Sequence, residues 1–162
     1  MTAPNYAALK AALGTGGQYA GMTDAAVLSA VNAATVAQAV DIPISAVTEA
    51  LALGGLLPTV KGWATSPPSV SGSVTQAAST AAQTFGLMIG PPPLFNSLQM
   101  SIPTTAASIN GMVSALVAAG LLTQAFADSI TSLATAKVSQ ASLWGWPGGV
   151  IENDLIAARA MP

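Results

Sequence analysis

The stretch Ser114-Ala115-Leu116-Val117-Ala118-Ala119-Gly120-Leu121-Leu122-Thr123 reads as the end of one helix and the start of the next. Upstream of it, Ile109, Met112, Val113, Leu116 and Val117 recur with the 3.6-residue period of a helix face and not with the alternation of a strand. A helix is therefore predicted over Thr104 to Ala119. Gly120 stops it, because glycine enters the left-handed C-cap conformation without the clash a Cβ would bring. The two leucines fold back on the last turn, and Thr123 caps a helix through Phe126, Ile130 and Leu133. The same signature stands at Glu49-Ala50-Leu51-Ala52-Leu53-Gly54-Gly55-Leu56-Leu57-Pro58. Two copies are too few for a solenoid. An internal duplication and the generic look of an Ala/Leu helix ending at glycine both account for them.

Further helices are expected on either side. Pro4 to Leu13 ends at Gly14; Thr23 caps a helix whose first turn holds Asp24, at the positive end of the dipole. Pro43, placed at a first helical position, opens a segment that closes at Gly54-Gly55. Ser73 or Thr75 starts another, ending between Gly86 and Gly90. Ser139 looks like a cap, Gly145 a stop, and Glu152 to Ala160 a last helix with acids at its start and Arg159 near its end. Ser66-Pro67-Pro68-Ser69 and Gly90-Pro91-Pro92-Pro93 interrupt helices, as does Ile102-Pro103. The expected fold is thus mainly α, with short helices joined by Gly/Pro corners. It divides into an N-terminal helical lobe (residues 1–62), a Pro/Ser-rich extended middle segment or arm (63–103) and a C-terminal helical lobe (104–162).

Composition narrows the function. Of 162 residues none is cysteine or histidine, and ten are charged: Lys10, Asp24, Asp41, Glu49, Lys61, Asp128, Lys137, Glu152, Asp154 and Arg159. Disulfides, thiolate or imidazole metal sites and histidine triads are excluded. Four basic residues and a net charge of −2 do not make the basic footprint of a nucleic-acid binder. The N-terminus lacks the basic and apolar runs of a signal peptide. The most membrane-like window, Ile109 to Ala127, carries Asn110, Gly111, Ser114, Gly120 and Gln124 without flanking cations, so it reads as a helix pair broken at Gly120 and no span is expected.

Little catalytic chemistry is on offer. Glu152 and Asp154 sit where a helix begins and read as capping groups. Lys137 and Ser139 are two apart, a weak basis for a Ser–Lys dyad. Gly14-Thr15-Gly16-Gly17 lacks the Lys-Ser/Thr of a phosphate cradle. Carboxylates do not cluster as calcium or magnesium would require. An enzyme is not expected, nor a cofactor, a metal or a small-molecule substrate.

The informative feature is a gap. Between Lys61 and Asp128 lie 66 residues without an ionisable side chain. Dispersed monomers stay apart through charged, mixed surfaces; a surface of Ala, Ser, Thr, Gln and Asn suits close packing against copies or partners. Tryptophans beside glycine or proline are interface anchors or core plugs in equal measure. Candidate assembly residues are Trp63, Phe85, Pro92, Leu94, Phe95, Trp144 and Trp146. Pro91-Pro92-Pro93-Leu94-Phe95 would be a docking arm or a rigid internal connection.

Asn5-Tyr6-Ala7-Ala8-Leu9-Lys10-Ala11-Ala12-Leu13, Gln18-Tyr19-Ala20-Gly21-Met22-Thr23-Asp24 and Val31-Asn32-Ala33 resemble a family of small Ala-rich structural proteins of tailed bacteriophages. The resemblance resumes at Leu116 to Thr123, Leu133-Ala134, Val138-Ser139-Gln140-Ala141 and Asp154 to Met161. It covers most of both end lobes and departs over 63–103. It departs again at Ser142-Leu143-Trp144, where the family has a more charged turn. It implies a non-enzymatic, multi-copy virion protein in a tail, tail-tip or fibre-associated position, with copies of itself and other virion proteins as partners. The alternatives are a capsid decoration protein and, from another class, a membrane-active holin-like factor.

Overall fold

The computed structural model describes residues 3–90 and 92–162. Its elements in chain order are α1 (Tyr6–Leu13), α2 (Asp24–Asn32), β1 (Ala34–Ala39), β2 (Ile42–Pro43), α3 (Ile44–Leu53), α4 (Leu57–Gly62), α5 (Gln76–Ile89), β3 (Ser97–Leu98), α6 (Pro103–Ala118), α7 (Gln124–Leu133), β4 (Thr135–Ser139), α8 (Gln140–Leu143) and α9 (Glu152–Ala160). The chain is mainly α, with two two-stranded sheets, β1 with β4 and β2 with β3. It forms two compact units, one running to Gln38 and resuming over Lys137–Pro162, the other spanning Ala39–Ala136.

In the first unit α1 packs on α9, and α2 on α8 and α9. The caps follow from short polar side chains placed one residue before each helix. Asn5 Oδ1 accepts from Ala8 N at 3.0 Å, Thr23 Oγ1 from Ala26 N at 3.3 Å, and Ser139 Oγ from Ser142 N at 3.1 Å. After α1 the Gly-rich turn doubles back, and Tyr19 N donates to Ala12 O at 2.8 Å, seating the ring of Tyr19 in the core. Leu9, Val27, Val31, Trp146, Val150 and Leu155 complete that core.

The second unit is built on α3, α5, α6 and α7 around Val47, Leu51, Phe85, Leu116, Phe126 and Ile130. Phe85 and Phe126 meet edge to face with centroids 6.1 Å apart, the arrangement favoured by the ring quadrupoles. Where α4 meets α5, backbones come close: a Cβ on Gly86 would lie 2.6 Å from Ala64 N and 2.9 Å from Val60 O. After α3 and α6 the chain turns at Gly55 (φ 68°) and Gly120 (φ 72°). Leu56 N then returns to Leu51 O at 2.8 Å, and Leu121 N to Leu116 O at 2.9 Å. These bonds satisfy carbonyls that a helix end leaves without partners.

The partition differs from the expected 1–62, 63–103 and 104–162. Contacts divide the chain near residues 38 and 136 instead, and α5, inside the expected arm, supplies Ala82, Phe85 and Ile89 to the core of the second unit. The middle is therefore not an extended segment. The helix expected from Ser73 or Thr75 is present as α5, and its buried face, mostly small, packs into the second unit. Boundaries shift modestly as well. Pro43 precedes α3 as its N-cap residue, and Pro103 begins α6 where a break was expected. Proline is compatible with a helix's first turn, where its missing N–H has no partner to lose.

Candidate assembly surface

The segment between α5 and β3 is fixed at both ends. Ile89 enters the core on one side, Leu98 and Met100 on the other. β2 and β3 pair antiparallel, Ile42 opposite Leu98 and Pro43 opposite Ser97, and Ile44 N donates to Asn96 O at 3.0 Å. Between these anchors Pro92, Pro93, Leu94 and Phe95 are exposed, Leu94 by 63% and Phe95 by 54%. Two consecutive prolines fix φ and leave the tip few conformations. Pro91, part of the expected arm, lies outside the described residues.

A groove of about 610 Å³ opens beside this tip. Met88, Leu98, Ile109 and Met112 supply apolar lining, and the ring of Phe95 forms part of the wall. Thr84, Asn96, Gln99, Thr105 and Ser108 add hydroxyls and amides, and no lining side chain is ionisable. Phe95 and Asn96 also line a smaller groove of about 410 Å³ with Ile44, Ile89, Pro93 and Lys61. A third, of about 520 Å³, lies between α3 and α7, with Leu53, Phe126, Leu133 and Glu49 among its walls.

Ionic groups are engaged elsewhere. Asp41 Oδ1 accepts from Ser101 Oγ at 2.6 Å and Ser101 N at 2.9 Å, which holds its carboxyl below the usual range. Arg159 pairs with Asp24 through both guanidinium nitrogens, which lowers the carboxyl and raises the guanidinium. Burial pushes the Asp154 carboxyl up, but Ile151 N (3.0 Å), the Tyr6 hydroxyl (2.7 Å) and Trp146 outweigh it and hold it low. Lys10 Nζ donates to Met161 O at 2.8 Å.

The candidate assembly residues separate into two groups. Pro92, Leu94 and Phe95 are at the surface, close together. Trp63, Phe85 and Trp146 are buried and cannot anchor a partner in this fold; Gly145, beside Trp146, turns the chain at φ 94°, whereas Gly62 and Gly86 lie within α4 and α5. Trp144 is half-buried, edge to face with Tyr19 at 6.5 Å. Two of the residues considered for chemistry, Ser139 and Asp154, have structural partners. Ser139 caps α8, and Asp154 accepts from Ile151 N at the start of α9. Gly17 packs so tightly on the carbonyls of Ala11 and Ala12 that no Cβ fits. Among the described residues no group of three or more Asp or Glu side chains could hold a metal ion, and no helix is long and apolar enough to cross a membrane.

Compared with protein-family models, curated proteins and solved structures, this chain matches none. The groove itself escaped the sequence reading. Met88 and Met112, two thioethers within the charge-free stretch, were the available signal, but nothing local brings α5 and α6 together.

Proposed function

We propose that this chain is a non-enzymatic structural component of a tailed-phage virion, in a tail, tail-tip or fibre-associated position, working by multi-copy packing against itself and partner virion proteins. The single observation that carries the reading is the charge-free run between Lys61 and Asp128, which builds an uncharged groove with the exposed Leu94 and Phe95 beside it. Such a patch has much to gain from being covered, because removing apolar area from water is favourable by roughly 25 cal/mol per Å². It has no ionic hydration to lose. The order of the motifs in the α1–α2 and α7–α9 regions supplies the phage assignment.

A capsid decoration protein is the second reading, favoured by the proline-stiffened tip, which could stitch neighbouring subunits. Quantitative mass analysis of purified virions tests both. Three, six or twelve copies support the tail position, hundreds support the head, and absence from the particle overturns both. Liposome flotation addresses the membrane-active alternative: tight lipid binding by the isolated chain would replace the virion reading.

A further inference from the structure

We propose that the Leu94–Phe95 tip and the groove beside it form one self-complementary interface, in which each of two copies of this chain seats its Leu94 in the groove of the other. The inference rests on reading the chain as an assembly component and names the first partner as a second copy. Knob and hole share a wall, since Phe95 lines the groove while Leu94, the next residue, stands 63% exposed. A patch that holds both halves of a contact is what a two-fold axis requires, because each residue pair then occurs twice.

The chemistry of the occupant follows from the lining. Met88 and Met112 are unbranched and polarizable and adapt to an inserted side chain. Thr105 and Gln99 offer donors to main-chain carbonyls, and a segment with prolines at 92 and 93 presents carbonyls without N–H groups at those positions. A charged side chain entering here would lose its hydration with no counter-charge to meet it. The occupant is therefore neutral, apolar at its tip and rich in carbonyls, and the chain carries that segment itself. Proline stiffness also lowers the entropy lost when the tip is ordered on docking.

The absence of cysteine makes the test direct. Two single-cysteine chains, Leu94→Cys and Met112→Cys, are mixed and oxidised, and the mixed disulfide should exceed either homodisulfide several-fold. Sedimentation equilibrium of the full chain should show a dimer at tens of micromolar that Leu94→Asp converts to monomer, at least a tenfold weakening of association. The thermal midpoint of Leu94→Asp, measured on dilute monomer, should match the parent, because Leu94 is exposed. A parent chain that stays monomeric at several hundred micromolar overturns the interface, and so does a dimer that Leu94→Asp leaves unchanged. If virions nevertheless contain the chain, the structural reading stands and this interface falls.

Discussion

The side chain of Asn32 grips both main-chain groups of Val150: its Nδ2 donates to Val150 O at 2.9 Å, and its Oδ1 accepts from Val150 N at 2.8 Å. One amide thus ties the end of α2 to the segment entering α9, 118 positions away in the chain. Gly149 (φ 90°) lies against it, with the Asn32 carboxamide oxygen 3.0 Å from where a Cβ would stand. Asn32→Ala removes both bonds and should destabilise the first unit by about 1–2 kcal/mol. Urea unfolding followed by tryptophan fluorescence reports this, since Trp144 and Trp146 both lie in that unit. An unchanged midpoint would show that water replaces the amide at no cost.

Two helix glycines should respond with opposite sign. Gly86 is pressed against the main chain of Val60 to Ala64, so Gly86→Ala must separate α4 from α5, at a cost of about 1–3 kcal/mol. Gly111, on α6, has open space around a would-be Cβ. Gly111→Ala should stabilise by roughly 0.5–1 kcal/mol, because alanine loses less backbone entropy in a helix. Paired thermal melts of the two variants check the contrast.

Asp154 predicts an acid response. Its carboxyl is held below the ordinary value in the folded chain, so the ionised form is the one that folding favours. The resulting stability is complete above the unfolded value of about 3.9 and is lost as pH falls through it toward the lowered folded value. Asp154→Asn should flatten that loss as pH falls below about 4 and lower the stability at neutral pH, an effect moderated by solvent screening of this carboxylate. Asp24 and Asp41 shift in the same direction, so the full chain should retain some acid sensitivity in the variant.

Gly120 turns the chain after α6 at φ 72°. Any L side chain there meets its own backbone, and Gly120→Ala should cost about 1–2 kcal/mol even though nothing else lies within reach. Gly120→Asn, a residue that tolerates the left-handed region, should recover part of it. Equal destabilisation by both variants would mean that the turn strain is relieved elsewhere.

By itself the sequence determined the mainly helical character of the chain and several of its helix caps. Thr23, Thr75, Thr123 and Ser139 each accept a bond from an N–H three residues on, and Glu152 to Ala160 forms α9 without a shift at either end. These signals are local: a cap and a glycine act within one turn, and apolar spacing marks a face over a few turns. What packs against that face is a long-range matter, and tertiary structure alone decided it. It joined the start of the chain to its end, placed α5 at the centre of the second unit, turned Trp63, Phe85 and Trp146 inward and left Leu94 and Phe95 outside. The short strands were hidden for the same reason, because Ile42–Pro43 is extended only where Ser97–Leu98 supplies the hydrogen bonds. A ladder partner 56 residues away, Leu98 opposite Ile42, leaves no periodicity in either segment, whereas a helix carries its own bonding partners with it.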